Sequence, residues 1–417
     1  MKNVEAMRTK IFAKMLFVVT ITCISGVVFG EETYWAGNGG DWFNPANWRY
    51  DVPASNYTAY IDNGGMATMS YGSSTFEGRL YVGNTTSGRI YQTGGALAPG
   101  ETRIGNDFTG IGIYSLSGSG ILNTGNFIVG YVGVGTFNQS GGTNNNTWLF
   151  VGNEYASQGT YNLSGTGTLR TTNDQYVGQA GHYGGSVGQF VQTGGQNIVG
   201  GKLVIGDQLG ATGSYSMSGG DLKAQRLLVG NFGRGRFELN SSSANVEISD
   251  KLIFSELGEF AAQSGSIIHL KGASLDNWSK QENNLAGFNS VTLSFEGGTD
   301  GLVKTLEIAS RDMGATAAGF EMNFALDTLG LSGVQPAHVQ LVDWRENSVG
   351  TEALYVKNLI LGKDTNLDLN GYNIYYQTLT NAGGNVDFNG GSLVQIPEPT
   401  TISLLVIGGL ALLKRRA

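Results

Sequence analysis

The chain has 417 residues, enough for two or three domains or for one elongated array. Glycine fills 66 positions, charged residues make up only 14 % and prolines number six, which excludes a disordered or collagen-like chain and favours short strands joined by glycine turns. With residues 1–30 and 397–417 set aside, 18 basic face 31 acidic side chains, a balance of −13 that argues against nucleic acid or anionic lipid as a partner.

At the N-terminus, Arg8, Lys10 and Lys14 precede an apolar run from Met15 through Ile21, Ile24 and Val27 to Phe29. This predicts a helical signal peptide over residues 1–30, cleaved just before Glu31, with Ser25 and Gly26 offering an earlier site. A lipoprotein is the lesser alternative, because Thr22 stands where a small residue is expected before the lipidated position, Cys23. Cys23 is the one cysteine, so the exported chain has no disulfide and no thiolate metal site.

Residues 31–78 carry Trp35, Trp42 and Trp48, half of all the tryptophans. A bulky aromatic segment ahead of a repeat array reads as an N-terminal cap over an open core. The competing reading is a carbohydrate platform, since indole faces beside Asn and Asp suit sugar rings.

Residues 79–245 hold seven copies of a unit of about 24 residues built from two alternating motifs. One is an apolar residue followed by glycine, at Gly83, Gly105, Gly130, Gly152, Gly178, Gly206 and Gly230, spaced 22 to 28 residues apart. The other opens with glycine and alternates with period two, as in GTFNQSGG from Gly135 and GTYNLSGT from Gly159. One such unit cannot bury its apolar face alone, whereas stacked copies share a continuous core. The expected fold is all-β: a β-solenoid, a parallel β-helix. The fifth residue of the second motif alternates through Gln92, Leu116, Gln139, Leu163, Gln192 and Met217. Those glutamines either form a buried ladder bonded to turns or face a ligand groove, and the need of a buried amide for partners favours the ladder.

From 246 to 395 the glycine rhythm stops and longer strand-like segments follow, read as a C-terminal β extension. Within it, Asn370-Gly371 predicts a two-residue hairpin turn in DTNLDLNGYNIYYQ, and a helix within 313–330 is weakly signalled. Chemical constellations are sparse. His182, His269 and His338 have no ligand spacing, so neither a metal nor a cofactor is expected. Gly184-Gly185-Ser186-Val187-Gly188 fits the nucleophile-elbow pattern but lacks a strand-to-helix setting. Asp364, Asn366 and Asp368 suggest a calcium loop, but Leu369 occupies the place of its glycine.

The last residues, 396–417, have three parts. Pro397, Glu398 and Pro399 stiffen an extended segment. An apolar helical run from Ile402 to Leu413, including Leu405, Ile407 and Leu410, partitions into the membrane, and Lys414, Arg415 and Arg416 stay cytoplasmic. Twelve apolar residues are short of the roughly 20 of a comfortable span, which suits a transient anchor. A plain permanent anchor is the alternative. In order and spacing this tail resembles the PEP-CTERM sorting signal of exported Gram-negative proteins. The resemblance implies an exosortase-type processing enzyme that recognises Pro397, Glu398 and Pro399, an inner-membrane stage through Ile402–Leu413, and an association with extracellular polysaccharide or biofilm. More loosely, the glycine-rich body resembles repeat regions of PEP-CTERM and autotransporter-type surface proteins.

The expected function is therefore a non-catalytic exported β-solenoid of the cell envelope or extracellular matrix, structural or adhesive. The alternatives are a β-helix polysaccharide lyase or glycosidase, which would need grouped carboxylates, and a carbohydrate-binding module with Trp35, Trp42 and Trp48 as glycan contacts.

Overall fold

In the computed structural model, which describes residues 31–179 and 185–396, the chain coils into a parallel β-solenoid of about 14 turns. The expected fold is thus the observed one.

A single coil shows how the sequence produces it. The strand Val134–Gln139 runs along a front face, Ser140-Gly141-Gly142 turn the corner, and Thr143–Val151 bends midway to form two further faces. After a second corner at Gly152, the strand Gln158–Leu163 lies on Val134–Gln139 in register, Phe137 opposite Tyr161 and Gln139 opposite Leu163. Among the described residues ten strands stack in this front sheet, from Gly39–Asp41 to Gly258–Ala262.

Period two sends every second side chain inward. Phe137, Tyr161, Phe190, Tyr215, Phe237 and Phe260 form one buried column, with ring centroids 4.5 to 5.9 Å apart. Full burial of each such side chain is worth about 1.5–3 kcal/mol, and stacking makes the column continuous.

The two glycines that define the repeat meet in space. Gly130 has φ +74°, and a Cβ there would come within 2.5 Å of the Gln158 carbonyl oxygen and 2.8 Å of the Gly159 nitrogen. The apolar-Gly motif of one coil thus touches the first glycine of the next, and no larger residue fits at the crossing.

The coils extend beyond the seven copies at both ends. Thr58–Ile61 pairs in parallel with Glu32–Tyr34 and with Ser73–Val82, while Met66–Met69 joins the front sheet. Over this first coil, Trp35 bridges Trp48 in antiparallel fashion, and Trp48 sits edge-on to both Trp35 and Trp42 at 5.1 and 4.9 Å. The Trp48 Nε1–H donates to the Trp42 carbonyl at 2.7 Å.

Beyond Ala262 the front sheet stops. A 3-10 segment, Glu282–Asn289, lies on its end and packs Phe288 against Phe254 and Phe260. The other faces continue through Val291–Glu296, Leu326–Ser332, Glu352–Leu361 and Asn373–Asn381 to Ser392–Gln395. The hairpin expected at Asn370-Gly371 does not form. Asn366–Asp368 and Asn373–Asn381 each pair in parallel with neighbouring coils rather than with one another. Asn370 and Gly371, at φ 48° and 88°, turn a corner, and Asn370 Nδ2 donates to the Leu341 carbonyl. Where a helix was signalled, the chain makes one 3-10 turn, Ala317–Phe320, followed by the strand Leu326–Ser332.

Candidate functional site

The alternating glutamines belong to the interior. Gln92, Gln139 and Gln192 are buried, and each Nε2 donates to two carbonyls: Gly95 and Ile121, Gly142 and Thr168, Gly195 and Asp221. Each Oε1 accepts from the tyrosine of the next coil, Tyr114, Tyr161 or Tyr215, at 2.5 Å. The amide is fully partnered, so the ladder is structural and offers nothing to a ligand. Burial pushes these three phenols well above their usual range.

The tryptophans named as glycan contacts are interior as well. Trp35, Trp42 and Trp48 are 3 %, 0 % and 4 % exposed, so their indoles pack on one another and on Phe76 instead of meeting solvent. A sugar platform needs an open aromatic face, and none of the three provides one. Pro397, Glu398, Pro399 and the rest of the tail lie outside the described residues, as do the signal peptide, His182 and Gly184. Among the described residues no helix is long and apolar enough to cross a membrane.

The surface feature that does stand out is one corner of the solenoid. Between the two motif glycines of successive coils, Phe108, Tyr155, Leu209 and Phe232 sit at exposed tips; Ile111, Val134 and Val187 begin the adjoining front strands and Leu257 just precedes one, all exposed. Phe108 and Tyr155, two coils apart, make an edge contact at 6.4 Å. Beneath the tips a polar ladder fixes the corner: Asn106 Nδ2 donates to Asn84 Oδ1 at 2.8 Å, and Asn231 Nδ2 to Asp207 Oδ1 at 3.0 Å. The described coils thus hold several apolar side chains in water at this corner, on an ordered backbone.

This ridge runs into a cleft at the point where the front sheet ends. The cleft measures about 490 Å³ and is lined by Phe232, Leu257, Trp278, Lys280, Trp344 and Arg345, with Asn231, Glu256 and Glu346 among the polar groups. It shares Lys280 and Glu346 with a wider basin of about 840 Å³ that also takes in Glu282, Arg311 and Glu321. The segment 344–350 borders both, residues 344–346 the cleft and 346–350 the basin. Glu307 Oε1 accepts the backbone N–H of Trp344 and of Arg345 at 2.8 and 2.7 Å. Asn347 Nδ2 donates to the carbonyls of Asn277 and Ser279, and the Ser348 N–H donates to Glu352 Oε1. Arg345 lies over the Trp278 ring, 4.3 Å from its centroid. Burial pushes both Glu307 and Glu352 up to about 7, although their backbone donors pull the other way.

Chemical groups elsewhere are engaged in structure. His269 Nδ1 is 2.7 Å from Glu296 Oε1. Ser186 is fully buried ahead of the strand Val187–Gln192. Asp368 accepts from Asn370, Asn389 and Gln340, which holds its carboxyl below the usual range against the opposing effect of burial. Among the described residues no group of three or more His, Cys, Asp or Glu side chains is placed to hold a metal ion.

Sequence reasoning missed the cleft because Phe232, Trp278 and Trp344 lie far apart in the chain, and Trp278 and Trp344 fall outside the repeats. The one available signal was two tryptophans in a segment without glycine rhythm. Comparison with family models, with curated proteins and with solved structures finds no match to this chain.

Proposed function

We propose that this chain is an exported, non-catalytic β-solenoid of the cell envelope or extracellular matrix, structural or adhesive in role. In this reading residues 396–417 act as a PEP-CTERM-type sorting signal processed by an exosortase-type enzyme. The observation that carries it is the exposed apolar ridge, running along a solenoid whose buried glutamines are bonded to their own scaffold. A stiff rod with a contact line suits attachment rather than turnover. Sorting rests on the order of parts in the tail, Pro397-Glu398-Pro399, then Ile402–Leu413, then Lys414, Arg415 and Arg416.

Two measurements test this. In a host carrying the processing enzyme, Pro397→Ala with Pro399→Ala should leave the tail uncut; identical mass and location of the two forms would count against sorting. Incubated with acidic and neutral polysaccharides, the purified chain should release no new reducing ends. A second reading, polysaccharide cleavage, draws on Glu282, Glu321 and Glu346 lining the wider basin. Reducing-end release that Glu346→Gln abolishes would establish it in place of the first.

A further inference from the structure

We infer that the cleft lined by Phe232, Trp278, Trp344 and Arg345 is a saccharide-binding site for a neutral glycan chain. The inference deepens the adhesive reading above and rests on it.

Three observations converge. Trp344 is 61 % exposed and Phe232 66 %, both at the rim of one cavity, while half-buried Trp278 forms part of its wall. Aromatic groups gathered at one cavity and left open to water are the kind of apolar surface that a ligand covers. The segment bearing Trp344 is fixed as well. Five hydrogen bonds, to Glu307, Glu352, Asn277 and Ser279, hold residues 344–348, and Arg345 is packed on Trp278. A mobile loop would bury its indole against the nearest apolar surface. This segment has its backbone fixed, so less ordering entropy is lost when a ligand arrives.

The wall chemistry selects the ligand class. A pyranose ring has a face of C–H groups that lies flat on an aromatic ring, and a rim of hydroxyls that pair with carboxylates, amides and guanidinium groups. The cleft supplies both kinds of partner: Phe232 and Trp344 for the faces, with Trp278 behind the Arg345 guanidinium, and Asn231, Glu256, Glu346, Lys280 and Arg345 for the rim. Two cations balance two anions, so no net field draws in a charged polymer. The volume, about 490 Å³, falls within the roughly 300–1,000 Å³ typical of small-molecule sites. Through Lys280 and Glu346 the cleft opens into the wider basin, giving a chain longer than one ring a path to follow.

Isothermal titration of the purified full chain with cellohexaose and with hexagalacturonate tests the site. Cellohexaose is expected to bind more tightly, and Trp344→Ala is expected to weaken it at least tenfold at an unchanged melting temperature. Phe232→Ala, on another coil, is expected to weaken it several-fold, and it decides the matter should Trp344→Ala fail to fold. Tyr91→Ala, exposed on the front strand Ser87–Gln92 and outside both ridge and cleft, should bind as the parent does. The site is overturned if neither hexasaccharide binds, if hexagalacturonate binds more tightly, or if both cleft variants match the parent. Cell-surface retention, measured in parallel, separates the two readings: retention without cellohexaose binding overturns the cleft alone, while binding without retention overturns the envelope role alone.

Discussion

The phenol hydroxyl of Tyr114 donates to the amide oxygen of Gln92, one coil earlier, at 2.5 Å inside the core. That amide also bonds the carbonyls of Gly95 and Ile121, so one side chain ties together the front strand, its own corner and the next coil. Gln92→Leu strands all three partners and should cost about 2–4 kcal/mol, whereas Tyr114→Phe should cost about 1 kcal/mol. In chemical denaturation the double variant should lose less than the sum of the two. Strict additivity would mean that the pair is not coupled.

At the N-terminal end, Trp42→Ala empties a fully buried site between Trp48 and Phe76 and should cost about 3–5 kcal/mol. Coils of a solenoid depend on their neighbours, so loosening should begin at that end. Limited trypsin digestion followed by mass spectrometry should find the first new cuts at Arg49 and Arg79. Cuts scattered evenly along the chain would argue against a capping role.

Two glycines with the same backbone geometry separate crowding from conformational strain. Gly314 has φ +68° and open space around a built Cβ, so Gly314→Ala should cost only the left-handed backbone penalty, about 1–2 kcal/mol. Gly130 has φ +74° and meets the Gln158 carbonyl oxygen at 2.5 Å, so Gly130→Ala adds overpacking and should cost roughly 3–5 kcal/mol. Thermal melting of the two variants compares them directly.

Glu307 and Glu352 give the segment 343–351 a dependence on pH. Burial raises both carboxyls to about 7, above the roughly 4.3 of an unfolded glutamate, and for Glu307 the charges of Asp276 and Asp343 add to it. The folded state therefore keeps the protons to higher pH. This contribution to stability is present in full below about 4.3 and is lost as pH rises through about 7. Hydrogen exchange, corrected for the intrinsic rate, should show the amides of Trp344, Arg345 and Ser348 better protected at pH 5.5 than at pH 8. Glu307→Gln should flatten the change at Trp344 and Arg345 and leave it at Ser348, which Glu352 holds.

How much of this was legible in the sequence depends on whether a residue's partners recur. Gly130 and Gly135 recur in every copy, and their spacing revealed coils before any contact was known. The role of Gln139 could be argued from the plain need of a buried amide, although the tyrosine that completes it sits one copy away, at Tyr161. Beyond Ala262 the coils persist without glycine pairs, and there Glu282–Asn289 lies on the end of the front sheet in place of a further front strand. Asn370-Gly371 misled because a corner and a hairpin demand the same left-handed backbone, and only the partner strands differ. Trp35, Trp42 and Trp48 were legible as a group, but a cap and a platform share a composition and differ only in which way the rings face.

Because every coil is joined to the next by parallel ladders, the backbone hydrogen bonds run along the length of the rod. A pull between the two ends would therefore load them one layer at a time, as in opening a zip, and the peak force would be set by a single coil however many were stacked. A pull between the cleft and Ile396 would strain only the coils from about Phe232 onward. The tryptophan-closed end would hang free of the tension, and its aromatic seal would feel heat and proteases but never load.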